Sequence, residues 1–179
     1  DSSTSAYRDG RYLLFILLVA LYGTAFFYLF ASVPQYFSTV SKYTEDTIGL
    51  LMALNGLLVV IIEMPLIAWL EKSRRLFSFI IAGALCLPLA FLLLLFGKSM
   101  MVFAILYTLI ITMSEIFAMP FMMNYALSRP LKERQGQYSA LYSMAYGIAT
   151  ISAPSIGLGI ADHYGFNTLF VFLITLGVL

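Results

Sequence analysis

The chain has 179 residues, of which 61% are hydrophobic and 11% are charged, and its formal net charge is +1. A water-soluble domain covers its exterior with ionised side chains, about a quarter of its residues, so this composition excludes an ordinary soluble domain. The near-neutral charge provides no basic surface for nucleic acid, and we expect a lipid bilayer to surround most of the chain.

Apolar runs of transmembrane length follow one another along the whole chain. About 20 apolar residues span the roughly 30 Å hydrocarbon core of a bilayer as a helix. The runs predict five such helices, over residues 12–36, 47–70, 76–96, 100–127 and 137–161. A sixth run, over 166–179, would rise only about 21 Å as a helix, and we expect it to be truncated. The sequence therefore predicts an all-α, polytopic bundle of six transmembrane helices.

Basic residues between the runs predict how the chain is oriented. Lys and Arg are retained on the cytoplasmic side of a membrane during insertion. With the N-terminus inside, only Lys42 and Lys98 lie outside. The basic residues that then fall on the cytoplasmic side are Arg8, Arg11, Lys72, Arg74, Arg75, Arg129, Lys132 and Arg134. We therefore expect a cytoplasmic N-terminus for this segment.

Two candidate residues for ligand binding lie on the first helix, and two more on the second. Tyr22 and Phe26 are one turn apart on the first helix, where their rings are placed to line a cavity and stack on a ligand. Glu63 interrupts the second helix near its cytoplasmic end, and Asn55 lies about two turns away on a similar side. Glu63 is a candidate for proton binding or gating, or for a local pairing at the helix end.

Glu115 interrupts the fourth helix near its middle. An acid in hydrocarbon costs roughly 2.5 to 3.5 kcal/mol on insertion scales, so its presence needs a reason. Thr112 and Met119 lie on the same helical stripe, which we expect to face protein or a wet cavity. Glu115 is a candidate for exchanging a proton or meeting a cationic substrate. Alternatively, it stays protonated and donates a structural hydrogen bond to a neighbouring helix. Met119 is flexible enough to contact varied apolar substrates, and equally a methionine on a lipid-facing or core surface needs no ligand.

Small residues form a regular row on the fifth helix. Its members recur every four residues and lie beside Pro154: they are Ala145, Ala149, Ala153 and Gly157. Small side chains let helix backbones approach closely in lipid, where no hydrophobic effect drives helices together. The row predicts a helix-packing face.

Several of these features resemble the later helices of major facilitator superfamily transporters, particularly multidrug-efflux-like members. On the fourth and fifth helices they are Glu115, Pro120, Pro130, the run Glu133-Arg134-Gln135-Gly136, Gly147 and the run from Ala153 to Gly157. On the second helix they are the run from Asn55 to Leu58 and Glu63-Met64-Pro65, followed by Glu71, Lys72, Arg74 and Arg75. This last stretch resembles the family's cytoplasmic-loop motif, which Arg134 and Gly136 accompany. Ile67 and Glu71 stand where that motif usually has Gly and Asp.

The resemblance implies that residues 1–179 are the C-terminal six-helix domain, helices seven to twelve, of a larger transporter. Its fold would be two inverted three-helix repeats, with a substrate site near the midplane against an N-terminal half. We expect a bacterial inner (plasma) membrane location and proton-coupled efflux of small amphipathic molecules by alternating access.

Other classes of function fit the sequence less well. There is no P-loop for ATP, no filter-like loop of a channel and no G-x-S-x-G, and one His and one Cys cannot form a usual metal site. We therefore expect neither an enzyme nor a cofactor or bound metal. The remaining alternatives are a non-transporting membrane scaffold and a standalone half-transporter that pairs with a second copy.

Overall fold

All regular structure in the described part of the chain is helical. The computed structural model describes residues 5–70, 76–97, 100–130 and 132–178. In chain order the helices are α1 (Gly10–Phe27), α2 (Ser32–Thr39), α3 (Glu45–Leu70), α4 (Leu76–Gly97), α5 (Met101–Ser128), α6 (Gln135–Tyr164) and α7 (Phe166–Val178). Short 3₁₀ turns precede α1 and α6. The all-α prediction is confirmed.

The helices also have the lengths that a bilayer requires. Among the described residues, five stretches are long and apolar enough to cross a membrane: α1 and α2 taken together, and each of α3 to α6. The apolar helix α7 has 13 residues and is too short to count among them. The prediction of five stretches of membrane-spanning length is therefore confirmed.

The first predicted helix is not continuous, which corrects the prediction of one helix over 12–36. The chain makes a tight elbow between α1 and α2, where the amide of Leu29 donates to Phe26 at 3.0 Å and that of Phe30 donates to Phe27 at 3.1 Å. Pro34 has no N–H to donate to the carbonyl of Phe30, and its ring crowds that carbonyl. Pro34 therefore favours a break one turn before it, although Pro65, Pro88, Pro120 and Pro154 lie inside continuous helices.

Small residues allow the closest helix contacts in the bundle. Helix α4 packs along α5 and α7, and α1 packs along α6. A Cβ atom at Gly83 of α4 would lie 2.6 Å from the backbone nitrogen of Ala118 on α5. On α6, a Cβ at Gly157 would collide with the ring of Tyr28 at the elbow. Only glycine leaves room for the α5 backbone beside Gly83 and for the Tyr28 ring beside Gly157.

The row of small residues on α6 lies against the first span. Ala145, Ala149, Ala153 and Gly157 are all buried, and Pro154 beside them is half-buried. Gly23 of α1 lies opposite Ala149, because a Cβ built at Gly23 would be 3.0 Å from the Ala149 Cβ. The row thus occupies the contact between α6 and α1.

Helix α3 is the least buried of the long helices. It packs mainly on α5. Leu51 and Asn55 are its only buried residues among those whose side chains are described. One of the two is polar, and the partly buried apolar residues Ile48, Met52 and Leu66 of α3 also pack against the core.

An ion pair joins three helix ends on the side where α1 begins. Asp9 caps α1 by accepting from the amide of Tyr12 at 3.1 Å. It also accepts from Nε and Nη2 of Arg129, at the end of α5, at 2.7 and 2.9 Å. The hydroxyl of Tyr138 on α6 donates to the same carboxylate at 3.1 Å. A bidentate ion pair of this kind fixes the position of α1 relative to α5.

Only part of the predicted cytoplasmic-loop motif lies within the described residues. Glu71, Lys72, Arg74 and Arg75 lie outside the described residues. Arg134 is half-buried at the start of α6, and Gly136 is exposed in its first turn.

Candidate functional site

Three of the predicted site residues meet between α3 and α5. The Asn55 side chain, which is 4% exposed, donates from Nδ2 to Thr112 Oγ1 at 3.0 Å and to Glu115 Oε2 at 3.2 Å. Thr112 and Glu115 lie nearly one turn apart on α5, so a single amide from α3 reaches both. The sequence predicts these residues individually, but only the fold brings them together.

The hydrogen bonds determine which way the Asn55 amide points. Thr112 Oγ1 donates its only proton to the carbonyl of Thr108 at 2.6 Å. Thr112 can therefore only accept from its neighbour, and only the NH₂ group of an amide can donate to it. This arrangement turns a hydrogen-bond donor toward Glu115.

The surroundings of Glu115 act on its carboxyl group in two ways. Glu115 is half-buried, whereas Thr108 and Thr112 are fully buried. Hydrogen bonds to an ionised acceptor are roughly twice as strong as bonds between neutral groups, so Asn55 favours the carboxylate form of Glu115. The low-dielectric surroundings of a membrane helix oppose that form. The hydrogen bond from Asn55 and the low-dielectric surroundings therefore act on the Glu115 carboxyl group in opposite directions.

An open cleft lies beside this polar cluster, between α3, α5 and α6. It has a volume of about 740 Å³. The side chains that give it chemical character are Glu63, Met119, Met123, Asn124, Tyr142 and Tyr146. Met119 lines the cleft and is one turn from Glu115 on α5, whereas Asn55, Thr112 and Glu115 are not among the residues that line it.

Tyr142 and Tyr146 are functional candidates that sequence reasoning missed. They lie one turn apart on α6, their ring centroids are 5.2 Å apart, and the hydroxyl of Tyr142 donates to the carbonyl of Met119 at 3.4 Å. The available signal was two tyrosines at a spacing of four residues beside the row of small residues. That spacing places both rings on one face, next to the face that packs on α1.

The structure does not bring Tyr22 and Phe26 into this cleft. Phe26 is 2% exposed and packs in the core. The Tyr22 hydroxyl lies 3.1 Å from the carbonyl oxygen of Ser114 and 3.0 Å from its Oγ. A buried tyrosine hydroxyl needs such a partner. Tyr22 instead borders a separate apolar cleft of about 410 Å³ between α1, α4 and α7.

Comparison with known proteins identifies the family. The model of the Major Facilitator Superfamily matches residues 2–154. The chain is 25% identical over 194 aligned positions to the Na(+), Li(+), K(+)/H(+) antiporter of Planococcus maritimus, covering 96% of this chain and 43% of that protein. It is 26% identical over 151 positions to the uncharacterized MFS-type transporter YttB of Bacillus subtilis strain 168, covering 79% of this chain and 37% of that protein.

The chain thus spans less than half the length of these two relatives. No solved structure matches it significantly. The family match and the membrane-spanning helices together identify an integral, multi-pass membrane protein of a transporter family. The chain belongs to the major facilitator superfamily.

Proposed function

We propose that the chain is the C-terminal half of a proton-coupled secondary transporter, in which Glu115 carries the proton. The observation that supports this most is the contact of Glu115 with Asn55 and Thr112, within the membrane-spanning part of α5. An acidic side chain inside the membrane is energetically costly, and such residues usually serve a function. Here Asn55 donates a hydrogen bond that favours the ionised form of Glu115.

In this proposal the substrate occupies the cleft between α3, α5 and α6. An N-terminal half of six helices closes the open side of the cleft, and α1 to α4 and α5 to α7 form two inverted repeats. The coverage of less than half of each relative supports this division of the protein. Rocking of the two halves exposes the cleft alternately to each side of the membrane. Two alternatives remain. In a homodimer a second copy of this chain would cover the open side of the cleft, and in a non-transporting scaffold another membrane protein would cover it.

We propose efflux of small amphipathic molecules as the direction and class of transport. Tyr142 and Tyr146 offer aromatic surface, and Met119 and Met123 offer adaptable apolar contacts. Most of the cleft surface is apolar, while Glu63 and Asn124 supply polar groups. This mixture suits a molecule that has both apolar and polar parts.

A second candidate function is exchange of an alkali cation for a proton. One similar protein carries the name of a Na(+), Li(+), K(+)/H(+) antiporter. Asn55, Thr112 and Glu115 also bring three oxygen-bearing side chains together, and oxygen is the ligand that hard cations prefer. This function requires the Asn55 amide to rotate, so that Oδ1 rather than Nδ2 faces the site.

Proton movement in liposomes tests the proposal. The protein is reconstituted with a pH-sensitive dye inside, and either an amphipathic substrate or Na⁺, Li⁺ or K⁺ is added outside. We expect substrate-dependent proton movement that falls to the level of empty liposomes in Glu115→Gln. Glu45→Gln is the matched control, because Glu45 is exposed at the start of α3. Unchanged proton movement in Glu115→Gln would refute the assignment, and a response to alkali ions alone would favour the second function.

A further inference from the structure

A chain of hydrogen bonds joins three helices at the turn of α5 that carries Glu115. Ser114, the residue before Glu115, donates from Oγ to the carbonyl of Gly83 on α4 at 2.7 Å. That bond uses the only hydroxyl proton of Ser114, so its Oγ accepts from the Tyr22 hydroxyl of α1 at 3.0 Å. Tyr22, Gly83 and Ser114 are all buried. The hydrogen bonds therefore run in one direction, from α1 through α5 to α4.

A second contact holds the same face of α5. Ala118 follows Ser114 by one turn, and a Cβ built at Gly83 would lie 2.6 Å from its backbone nitrogen. The α4 backbone thus lies directly against two successive turns of α5. A helix that is held at both Ser114 and Ala118 resists rotation about its own axis.

The direction of Ser114 determines the direction of Glu115. Consecutive residues of an α-helix point about 100° apart, so Ser114 faces α1 and α4 while Glu115 faces α3. With its side chains the helix has a radius of about 5–6 Å, so a rotation of about 20° would move the Glu115 carboxyl group by roughly 2 Å. Such a displacement would break the bond that Asn55 donates to Glu115 at 3.2 Å.

We infer that Tyr22, acting through Ser114, is a positioning residue for Glu115. The two side chains hold α5 in the rotation that brings the carboxyl group to its donor, Asn55. This inference rests on the proposed function, in which Glu115 carries the proton, and specifies how α1 takes part in it. A displacement of α1 relative to α5 would change how firmly Glu115 holds its proton.

Several titratable groups interact electrostatically with Glu115 in the described part of the chain. They are Glu63 on α3, Tyr22 on α1 and Tyr146 on α6. Tyr22→Phe removes a phenol that is neutral below about pH 10, and Ser114→Ala removes no titratable group. A change that both variants share therefore arises from the position of Glu115 and not from the loss of a charge.

Infrared difference spectroscopy of the protein in lipid nanodiscs tests the inference. The carbonyl stretch of the protonated carboxyl group is followed as the pH is raised, and its loss in Glu115→Gln assigns the band. The variants are Tyr22→Phe, which keeps the ring, and Ser114→Ala. Tyr12→Phe is the matched control, because Tyr12 is also buried on α1 and its hydroxyl donates to a backbone carbonyl at 2.6 Å. That carbonyl belongs to Tyr138 on α6 rather than to a residue of α5.

We expect the band of Tyr22→Phe and that of Ser114→Ala to persist to a pH about one unit higher, because the ionised form of Glu115 loses its donor. Tyr12→Phe should leave the band unchanged. The inference is wrong if neither variant moves the band, if only one of them does, or if Tyr12→Phe moves it equally.

Thermal unfolding distinguishes positioning from a general loss of stability. Each variant is first checked for elution as a single species in size-exclusion chromatography. Tyr22→Phe and Tyr12→Phe each lose one buried hydrogen-bonding hydroxyl, so we expect similar decreases in melting temperature. Only Tyr22→Phe should also move the band. A band that moved in proportion to the melting temperature in both variants would show a structural role alone.

Proton movement in liposomes separates this inference from the proposed function. If Glu115→Gln still moves protons, the proposed function fails, and the positioning stands on the movement of the Glu115 band. If Glu115→Gln moves no protons while Tyr22→Phe titrates like the unaltered protein, the proposed function stands and the positioning fails. A spectrum in which Glu115→Gln removes no band would contradict both, because Glu115 would then hold no proton.

Discussion

The Asn55 amide nitrogen lies 3.2 Å from Glu115 Oε2, and Asn55 is one of the two buried residues among the α3 side chains that the structure describes. The same side chain therefore supports the candidate proton site and anchors the least buried long helix. This double role makes Asn55 a sensitive position for both stability and transport.

Replacing Asn55 by Leu should impair transport more than binding. Glu115 loses its donor, and a hydrogen bond to a charged group contributes about 1.5–3 kcal/mol, so we expect coupled proton movement to fall roughly 10- to 100-fold. Initial rates in liposomes measure this effect. Asn167→Leu is the control, because Asn167 is exposed at the start of α7. An unchanged rate in Asn55→Leu would show that Glu115 does not depend on this contact.

Gly157→Ala should destabilise the protein at the elbow between α1 and α2. The added methyl group collides with the ring of Tyr28, which is fully buried and has little room to move. Overpacking of this kind costs about 1–3 kcal/mol. Thermal unfolding in detergent measures the loss. Gly159→Ala lies two residues away on the same helix, where a Cβ meets nothing within 4 Å, and should have little effect. Equal melting temperatures for the two variants would contradict the packing argument.

The ion pair between Asp9 and Arg129 should contribute stability that depends on acid pH. The pKa of Asp9 is lowered from 3.8 to about 2, mainly by the hydrogen bond from the Arg129 guanidinium. Burial opposes this shift, and the hydrogen bonds from the Tyr12 amide and the Tyr138 hydroxyl contribute to it. Because this pKa is lower in the folded state, the contribution is complete above about pH 4 and is lost as the pH falls toward 2.

Asp9→Asn should therefore remove this dependence on pH. We expect the variant to lose about 1–2 kcal/mol of stability at pH 7 and to differ little from the unaltered protein at pH 2. Chemical unfolding in detergent at several pH values measures both effects. A constant difference between the two proteins from pH 7 to pH 2 would mean that the ion pair does not contribute.

The proposed orientation predicts which exposed positions a membrane-impermeant reagent reaches. Cys86 is the only cysteine, so Cys86→Ser provides a background for single cysteines. Tyr7, which is 61% exposed, precedes α1, and the exposed Thr44 precedes α3 at the other end of the first span. In intact cells we expect a charged maleimide to label Thr44→Cys, and to label Tyr7→Cys only after permeabilisation. The reverse pattern would place the start of α1 outside.

The sequence determined the helices because lipid imposes a simple requirement on the chain. Backbone groups in hydrocarbon must be paired within their own segment, so long apolar runs become helices wherever they occur. The predicted helix over 76–96 corresponds to Leu76–Gly97, and the one over 100–127 corresponds to Met101–Ser128. The break between α1 and α2 was not predicted. Pro34 alone does not indicate a break, because membrane helices also tolerate proline without breaking.

The tertiary structure decided which side chains face one another. Glu115 could be selected from the sequence because one acid in an apolar run is conspicuous, but its partner Asn55 lies 60 residues away on another helix. The rings of Tyr142 and Tyr146 and the carboxyl group of Glu63 likewise line one cleft only when α3, α5 and α6 pack. The physical reason is that insertion into lipid depends on the apolarity of each segment alone. The contacts between helices depend on the shapes and hydrogen-bonding groups of surfaces that are distant in sequence.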